Sequence, residues 1–358
     1  MKSLLARASL NLGLVLLAFG FGCSSTPPPA PVPPARQQAQ FVAASALKLS
    51  QAGNWVAAAR EWQEAADQFS ALNDLGNEAV ALHNLAQADR ELDRLDAAQH
   101  LLDRAATLNQ QAGQTNEWWR DQIALLQVES REEQTAPIEA RFKRLVPLLP
   151  KVEDPQLRGL FLNEFAQWQQ RQEHLNEAAQ TYQQAEQAFV QAARPQGVAA
   201  VSANRASLYL AQTNYPAALK EWSRALAEYE AIAEPFGITR ALEGQGRTML
   251  VAKQDLPEAE ELLRRAARNF QTLRKPGYQV DALLTLIDCL KARNEPLAEA
   301  QRELARAREA YAADLEKAEQ WTAAGEQWKA AADLWQTLDQ PAARNLALAG
   351  VQRCSRQQ

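Results

Sequence analysis

The sequence predicts an all-α protein, a right-handed α-solenoid of about eight helix pairs with a C-terminal capping helix. Three observations carry this. An alanine recurs at steps close to 40 residues, at Ala58, Ala98, Ala140, Ala178, Ala218, Ala259 and Ala300, with an eighth at Ala324. Large and small residues stand at fixed offsets from it. Seven residues on comes a second alanine (Ala65, Ala105, Ala185, Ala225, Ala266, Ala307, Ala331), four on a large residue such as Trp62, Leu102, Tyr182 or Trp222, and eleven on Phe69, Phe189, Tyr229, Phe270, Tyr311 or Trp335. Prolines recur in step, at Pro155, Pro195, Pro235 and Pro276.

Offsets of four, seven and eleven trace one stripe of a helix, whereas a strand would alternate. Alanine at two points lets helix backbones approach, and the large residues fill the grooves between them. A single helix pair has more apolar face than it can bury alone, so neighbours must stack into one continuous core.

Taken in chain order, residues 1–22 stand outside this pattern. Lys2 and Arg7 precede a short apolar run from Leu10 to Phe21, which suits an export signal and is too short for a membrane span. The run ends in Gly20-Phe21-Gly22-Cys23-Ser24-Ser25, which resembles a bacterial lipoprotein cleavage site. The resemblance implies cleavage before Cys23 and acylation of that cysteine (palmitate or a similar chain). With Ser24 and not Asp after it, it also implies sorting to the outer membrane, facing the periplasm. Residues 23–36 then read as the acylated Cys and a Pro-rich tether, Thr26 to Ala35 being TPPPAPVPPA, a polyproline-type spacer of roughly 30 Å at ~3.1 Å per residue. A plain secreted protein with a disordered N-terminus is the other reading of these residues.

Residues 37–340 form the solenoid. Trp55-x-x-Ala58-x-x-x-Trp62-x-x-Ala65 and Tyr215-x-x-Ala218-x-x-x-Trp222-x-x-Ala225 resemble the second helix of the tetratricopeptide repeat. Twelve residues before the anchor, where the family's first helix has a small residue, stand Ala46, Ala86, Ala166, Ala206 and Ala312; Val128, Arg247 and Asp288 depart from it. The segment from Leu75 to Ala86 is similar to the longer, roughly 40-residue variant of that repeat. Each recurring proline is expected at the start of a first helix, where its missing N–H costs nothing, and Pro341 does the same near the C-terminus.

Two places break the rhythm. Around Ala140 the patterned positions hold Pro137, Arg144, Pro147 and Lys151, so that second helix is expected to be interrupted near Pro147. Ala324 follows Ala300 early, which predicts one long helix over 296–318, shared by neighbouring repeats. Residues 341–358 are the capping helix and tail.

Charged residues make up 23 % of the chain and the net charge is −5, with no basic block of the kind nucleic acid requires. Cys289 and Cys354 either pair in an oxidising compartment or remain one buried thiol and one near the terminus. The sequence offers no catalytic residues, no metal ligands and no cofactor site. His83, His100 and His174 form no spaced pair, and Gly244-x-Gly246 lacks a third glycine. Glu129-Ser130 looks like the Glu-Ser pair of lytic transglycosylases, without the segments that should follow it. Trp62, Trp222 and Trp328 belong to the core pattern, while Trp118 and Trp119 are adjacent and cannot both face inward.

In the tetratricopeptide family the first helices line a concave groove. Carried over position by position, the resemblance implies a candidate partner-binding groove of His83, Gln87 and Arg90, then Asn163, Gln167 and Arg171, then Ser207 beside Ala200 and Ala203, then Gly244 and Thr248. Gly244 and Gly246 inside a helix cost ~1 kcal/mol each relative to Ala, which implies close approach by either a neighbouring helix or a ligand. The expected function is a non-catalytic protein–protein interaction scaffold: an outer-membrane lipoprotein whose periplasmic solenoid binds an extended or helical peptide of another cell-envelope protein. Its rivals are a cell-wall (peptidoglycan) enzyme or its activator, and a small-ligand receptor using the groove.

Overall fold

The computed structural model describes residues 33–131 and 135–357. Cys23, the leader and the Pro-rich tether as far as residue 32 lie outside the described residues. Within them the chain is an α-solenoid. Its helices are α1 (Pro34–Gln51), α2 (Trp55–Ala71), α3 (Leu75–Glu91), α4 (Leu95–Gln111), α5 (Thr115–Arg131), α6 (Thr135–Leu145), α7 (Pro155–Arg171), α8 (Leu175–Gln191), α9 (Pro195–Ala211), α10 (Tyr215–Ala231), α11 (Pro235–Ala252), α12 (Leu256–Thr272), α13 (Pro276–Ala292), α14 (Ala298–Lys317), α15 (Trp321–Thr337) and α16 (Pro341–Ser355). None is long and apolar enough to cross a membrane.

The period of 40 is twice a smaller unit: a helix of 17 residues and a three-residue turn. The turn after α2 shows the construction. Asn73 takes the left-handed conformation at φ 51°. The Asp74 N–H bonds to the Phe69 carbonyl and the Asn73 N–H to that of Ser70, the pair of bonds that closes a Schellman cap. Asp74 then caps the next helix, its carboxylate accepting from the Asn77 N–H. One short turn thus satisfies the end of α2 and the start of α3. Left-handed residues recur 20 apart, at Gly53, Asn73, Asp93 and Gly113, and again at Glu173, Ala193, Thr213 and Ala233. Pro155, Pro195, Pro235, Pro276 and Pro341 occupy the first position of α7, α9, α11, α13 and α16.

The alanine stripe is the core. Ala58, Ala98, Ala178, Ala218, Ala259, Ala300 and Ala324 are all fully buried. The large residue four positions later reaches back to the end of the preceding helix. Trp62 Nε1 donates to Ser50 Oγ (3.0 Å), Tyr182 OH to Gln170 Oε1 (3.2 Å) and Trp328 Nε1 to Glu316 Oε1 (2.6 Å), each across twelve residues. Trp222 breaks the series. Its partner position is Leu210, and its buried Nε1 has no acceptor.

Ala140 departs from the expected pattern, since it is exposed. Ile138, Phe142 and Leu145 turn inward instead. The second helix stops at Leu145, and Val146–Lys151 form a 3-10 turn containing Pro147 and Pro150. The shortened helix is rotated so that its larger residues meet an aromatic cluster of Trp119, Phe161, Phe165 and Trp168, with Phe142 at its centre. Of the adjacent tryptophans, Trp119 is buried and Trp118 half-buried, edge to face with it at 5.4 Å. The expected long helix is α14, and the expected closing helix is α16. Cys289 and Cys354 are both buried and both free.

Candidate partner-binding groove

The odd-numbered helices from α3 to α9 start at the same point of their repeats. Residues one repeat apart on them therefore come side by side, and a ladder of polar contacts crosses from helix to helix. His83 Nδ1 of α3 lies 2.7 Å from Asp121 Oδ1 of α5, whose other oxygen accepts from Asn109 Nδ2 at 2.7 Å. Arg90 of α3 donates to Gln127 of α5, which donates to Glu164 of α7 at 3.0 Å. Arg131 Nη1 bonds to the Arg90 carbonyl (2.9 Å), and Arg171 Nη2 to Ser130 Oγ (3.0 Å). On α9, Asn204 Nδ2 donates to Asn163 Oδ1 of α7 at 2.8 Å.

Two hollows open along this ladder. One, of about 280 Å³, is lined by His83, Gln87, Arg90, Gln127 and the apolar Leu157 and Leu160. The other, of about 400 Å³, lies between α3, α5 and α7 and is lined by Arg90, Arg131, Arg171, Gln127, Gln167, Glu164, Glu91 and Ser130. The electrostatics follow from burial. Desolvation pushes the Asp121 carboxyl above the usual range, against the pull of His83 and Asn109. Desolvation does the same to Glu164, against the Gln127 hydrogen bond and the charges of Arg171 and Arg90. Burial pulls the Arg90 guanidinium below its ordinary value.

Most of the expected groove residues gather here. His83, Gln87 and Arg90 line the first hollow, and Arg90, Gln167 and Arg171 the second. Asn163 is engaged with Asn204, and Ser207 bonds its own helix at the Ala203 carbonyl. Gly244 and Thr248 do not belong to the groove. Both are buried, because α11 packs directly on its neighbours: Gly244 lies under the Trp222 ring, and Thr248 bonds back to the Gly244 carbonyl at 2.7 Å. Gly246 is similarly close to Leu263 and the Ala259 carbonyl. The close approach that these glycines permit is made by neighbouring helices. Asp121, Gln127, Arg131 and Glu164 are site residues that the carried-over positions missed. The 40-residue spacing contained the signal, since Gln127 falls midway between Gln87 and Gln167, and Arg131 lies one period before Arg171.

Glu129, the acid of the Glu-Ser pair, is buried and gripped by Arg141, with Nε 2.9 Å and Nη2 2.7 Å from Oε1. It is a structural ion pair tying α5 to α6 and presents no open carboxyl group.

No protein-family model and no curated protein matches the sequence. Solved structures match the fold. The chain is similar to the apo form of RapI at 11 % identity, with a TM-score of 0.62, covering 78 % of this chain and 99 % of that one. It is similar to a Rap protein complexed with competence and sporulation factor, at 15 % identity and a TM-score of 0.52, over 90 % of this chain and 100 % of that one. It also matches a signal transduction ATPase with a tetratricopeptide repeat sensor from Pyrococcus horikoshii, at 14 % identity and a TM-score of 0.55, over 89 % of this chain but 47 % of that chain. The fold is that of a tetratricopeptide-like helical repeat protein.

Proposed function

We propose that this protein is a non-catalytic scaffold whose concave face, along α3, α5, α7 and α9, holds an extended or helical peptide of a partner protein. The polar ladder carries the reading. It runs across successive first helices, opens into two adjoining hollows, and combines guanidinium and amide groups with the half-buried Leu160. A peptide laid across it would find backbone hydrogen-bond partners at one-repeat intervals. The fold shared with a Rap protein that forms a complex with competence and sporulation factor supports the same use of the scaffold.

The partner would belong to the cell envelope. The lipoprotein-like site at Cys23 and the proline run after it imply a tethered solenoid in the periplasm, anchored in the outer membrane. Two experiments test the proposal. Crosslinking in the native envelope, followed by identification of the captured protein, should yield a partner with wild type and lose it with Arg171→Glu; equal failure or equal capture with both would count against the groove. Cys23→Ser should release the protein from the membrane fraction, and continued membrane association without lipid would sink the anchor.

A further inference from the structure

We propose that the hollow between α3, α5 and α7 is a receptor for one carboxylate side chain, an Asp or Glu of the bound peptide, held by the guanidinium groups of Arg90, Arg131 and Arg171. This rests on the reading of the concave face as a peptide groove and names the chemistry it selects.

The three arginines come from three successive first helices and meet in one hollow. Each is only partly used. Arg90 gives a hydrogen bond to Gln127, Arg131 one to the Arg90 carbonyl and Arg171 one to Ser130, all uncharged acceptors. A guanidinium carries five N–H donors, and each of the three gives one of them to these acceptors. None of the three is in ion-pair contact with a carboxylate among the described residues. Elsewhere in the array arginines do close on carboxylates, as Arg104 does on Glu78, Arg141 on Glu129 and Arg205 on Glu186 and Glu221.

The charge of the lining favours such a ligand. Among the described residues it holds three guanidinium groups and two carboxylates, Glu91 and Glu164. Their excess of cationic groups suits one acidic side chain. Clustering the three cations costs energy that a bound carboxylate returns as charge-assisted hydrogen bonds. Arg131 and Arg171 are exposed, each held by one hydrogen bond to an uncharged acceptor, while Arg90 is half-buried and braced by Gln127. The half-buried Leu160 in the adjoining hollow would receive an apolar neighbour of that acid.

The test is selection of random peptides, displayed internally so that no free C-terminus is present, on the folded wild-type solenoid and on the double variant Arg131→Gln, Arg171→Gln. Both positions are exposed, and matching thermal melts confirm that the variant is folded. Enriched peptides should share an Asp or Glu at one fixed position, and that preference should vanish on the double variant while apolar preferences persist. With a synthetic copy of an enriched peptide, Glu→Gln should weaken binding to wild type roughly tenfold and leave binding to the double variant unchanged. Enriched peptides without an acidic position, or an acidic preference that survives in the variant, overturn the carboxylate receptor and leave the peptide groove standing. A preference seen only for peptides with a free C-terminal carboxylate overturns the side-chain assignment. If no peptide is enriched, both readings fall.

Discussion

The side-chain amide of Gln320 donates to the carboxylate of Asp93, 2.6 Å away across 227 residues of sequence. The same nitrogen lies 3.5 Å and 3.3 Å from the carbonyls of Leu92 and Asp93, and Arg94 reaches Glu319 at 3.7 Å. The turn between α3 and α4 therefore touches the turn between α14 and α15, and the array comes round on itself. A crevice of about 1150 Å³ beside this contact is walled by Gly53 of the first turn, Trp55 at the start of α2, and Tyr278 and Tyr311 of α13 and α14. The contact is made of surface groups, each worth about 1 kcal/mol or less. Gln320→Ala should accordingly leave the melting temperature and helicity nearly unchanged but loosen the closure, raising the radius of gyration in small-angle scattering. A scattering curve identical to wild type would show that stacking alone closes the array.

Asp121 predicts a pH dependence. Its folded pKa lies above that of the unfolded chain, because burial outweighs the help from His83 and Asn109. Between the unfolded value, about 3.9, and the raised folded value, the native state binds the extra proton. Stability contributed by this group is therefore full at low pH and declines as pH rises through that window. Asp121→Asn removes the titration. In chemical denaturation across that range, the stability of the variant minus that of wild type should grow with pH. A difference that shrinks as pH rises would contradict the assignment. Glu164 and Asp89, also raised chiefly by burial, act with the same sign.

The repeat was legible because its core positions use few residue types. Alanine at the close crossing and a ring or leucine at the groove leave a period that survives the variation around them, so Ala58, Ala218 and Ala324 were placed correctly from sequence alone. The turns were less visible. Their left-handed position holds Asn73, Asp93, Glu173, Ala193, Thr213 and Ala233, with glycine only at Gly53 and Gly113, because the Schellman bonds on either side impose the conformation whatever the residue. Ala140 misled for a different reason: its spacing fits, but two prolines shorten the helix and larger neighbours win the core. The groove was half legible. Gly244 and Thr248 have the sequence position of groove residues and the chemistry of packed ones, and nothing in the one-dimensional pattern announces that the Trp222 ring fills the space above them.

Thr213 is held at φ 57°, where a β-branched side chain is strained, and it is exposed. Left-handed geometry costs an L-residue roughly 1–2 kcal/mol, while glycine there would forfeit about 0.4–1 kcal/mol through the freer unfolded chain. Thr213→Gly should therefore stabilise by up to about 1 kcal/mol. The reverse change at Gly53, φ 72° with open space around its Cβ direction, should destabilise through backbone strain alone. Equilibrium denaturation of Thr213→Gly and Gly53→Thr checks the pair, and the account fails if both shift in the same direction.

Gly244 and Gly325 both lie inside helices, where replacing glycine with alanine ordinarily gains about 1 kcal/mol. Their surroundings predict opposite outcomes. A Cβ on Gly325 would sit 3.6 Å from Cys354 Cβ, an ordinary contact, so Gly325→Ala should stabilise by close to that full amount. A Cβ on Gly244 would fall 2.4 Å from two ring carbons of Trp222, which is buried and packed with Ala206, Ala241 and Leu226. Overpacking of this kind costs typically 1–3 kcal/mol, which exceeds the helix-propensity gain, so Gly244→Ala should destabilise by roughly 1 kcal/mol. Shrinking the ring should reverse the sign. In a Trp222→Leu background the obstruction is gone and Gly244→Ala should become stabilising, giving a coupling of at least about 1 kcal/mol in the double-mutant cycle. The cycle also separates packing from ligand contact, since a glycine kept for a ligand would show no dependence on residue 222. Additive effects of the two substitutions would return Gly244 to the groove.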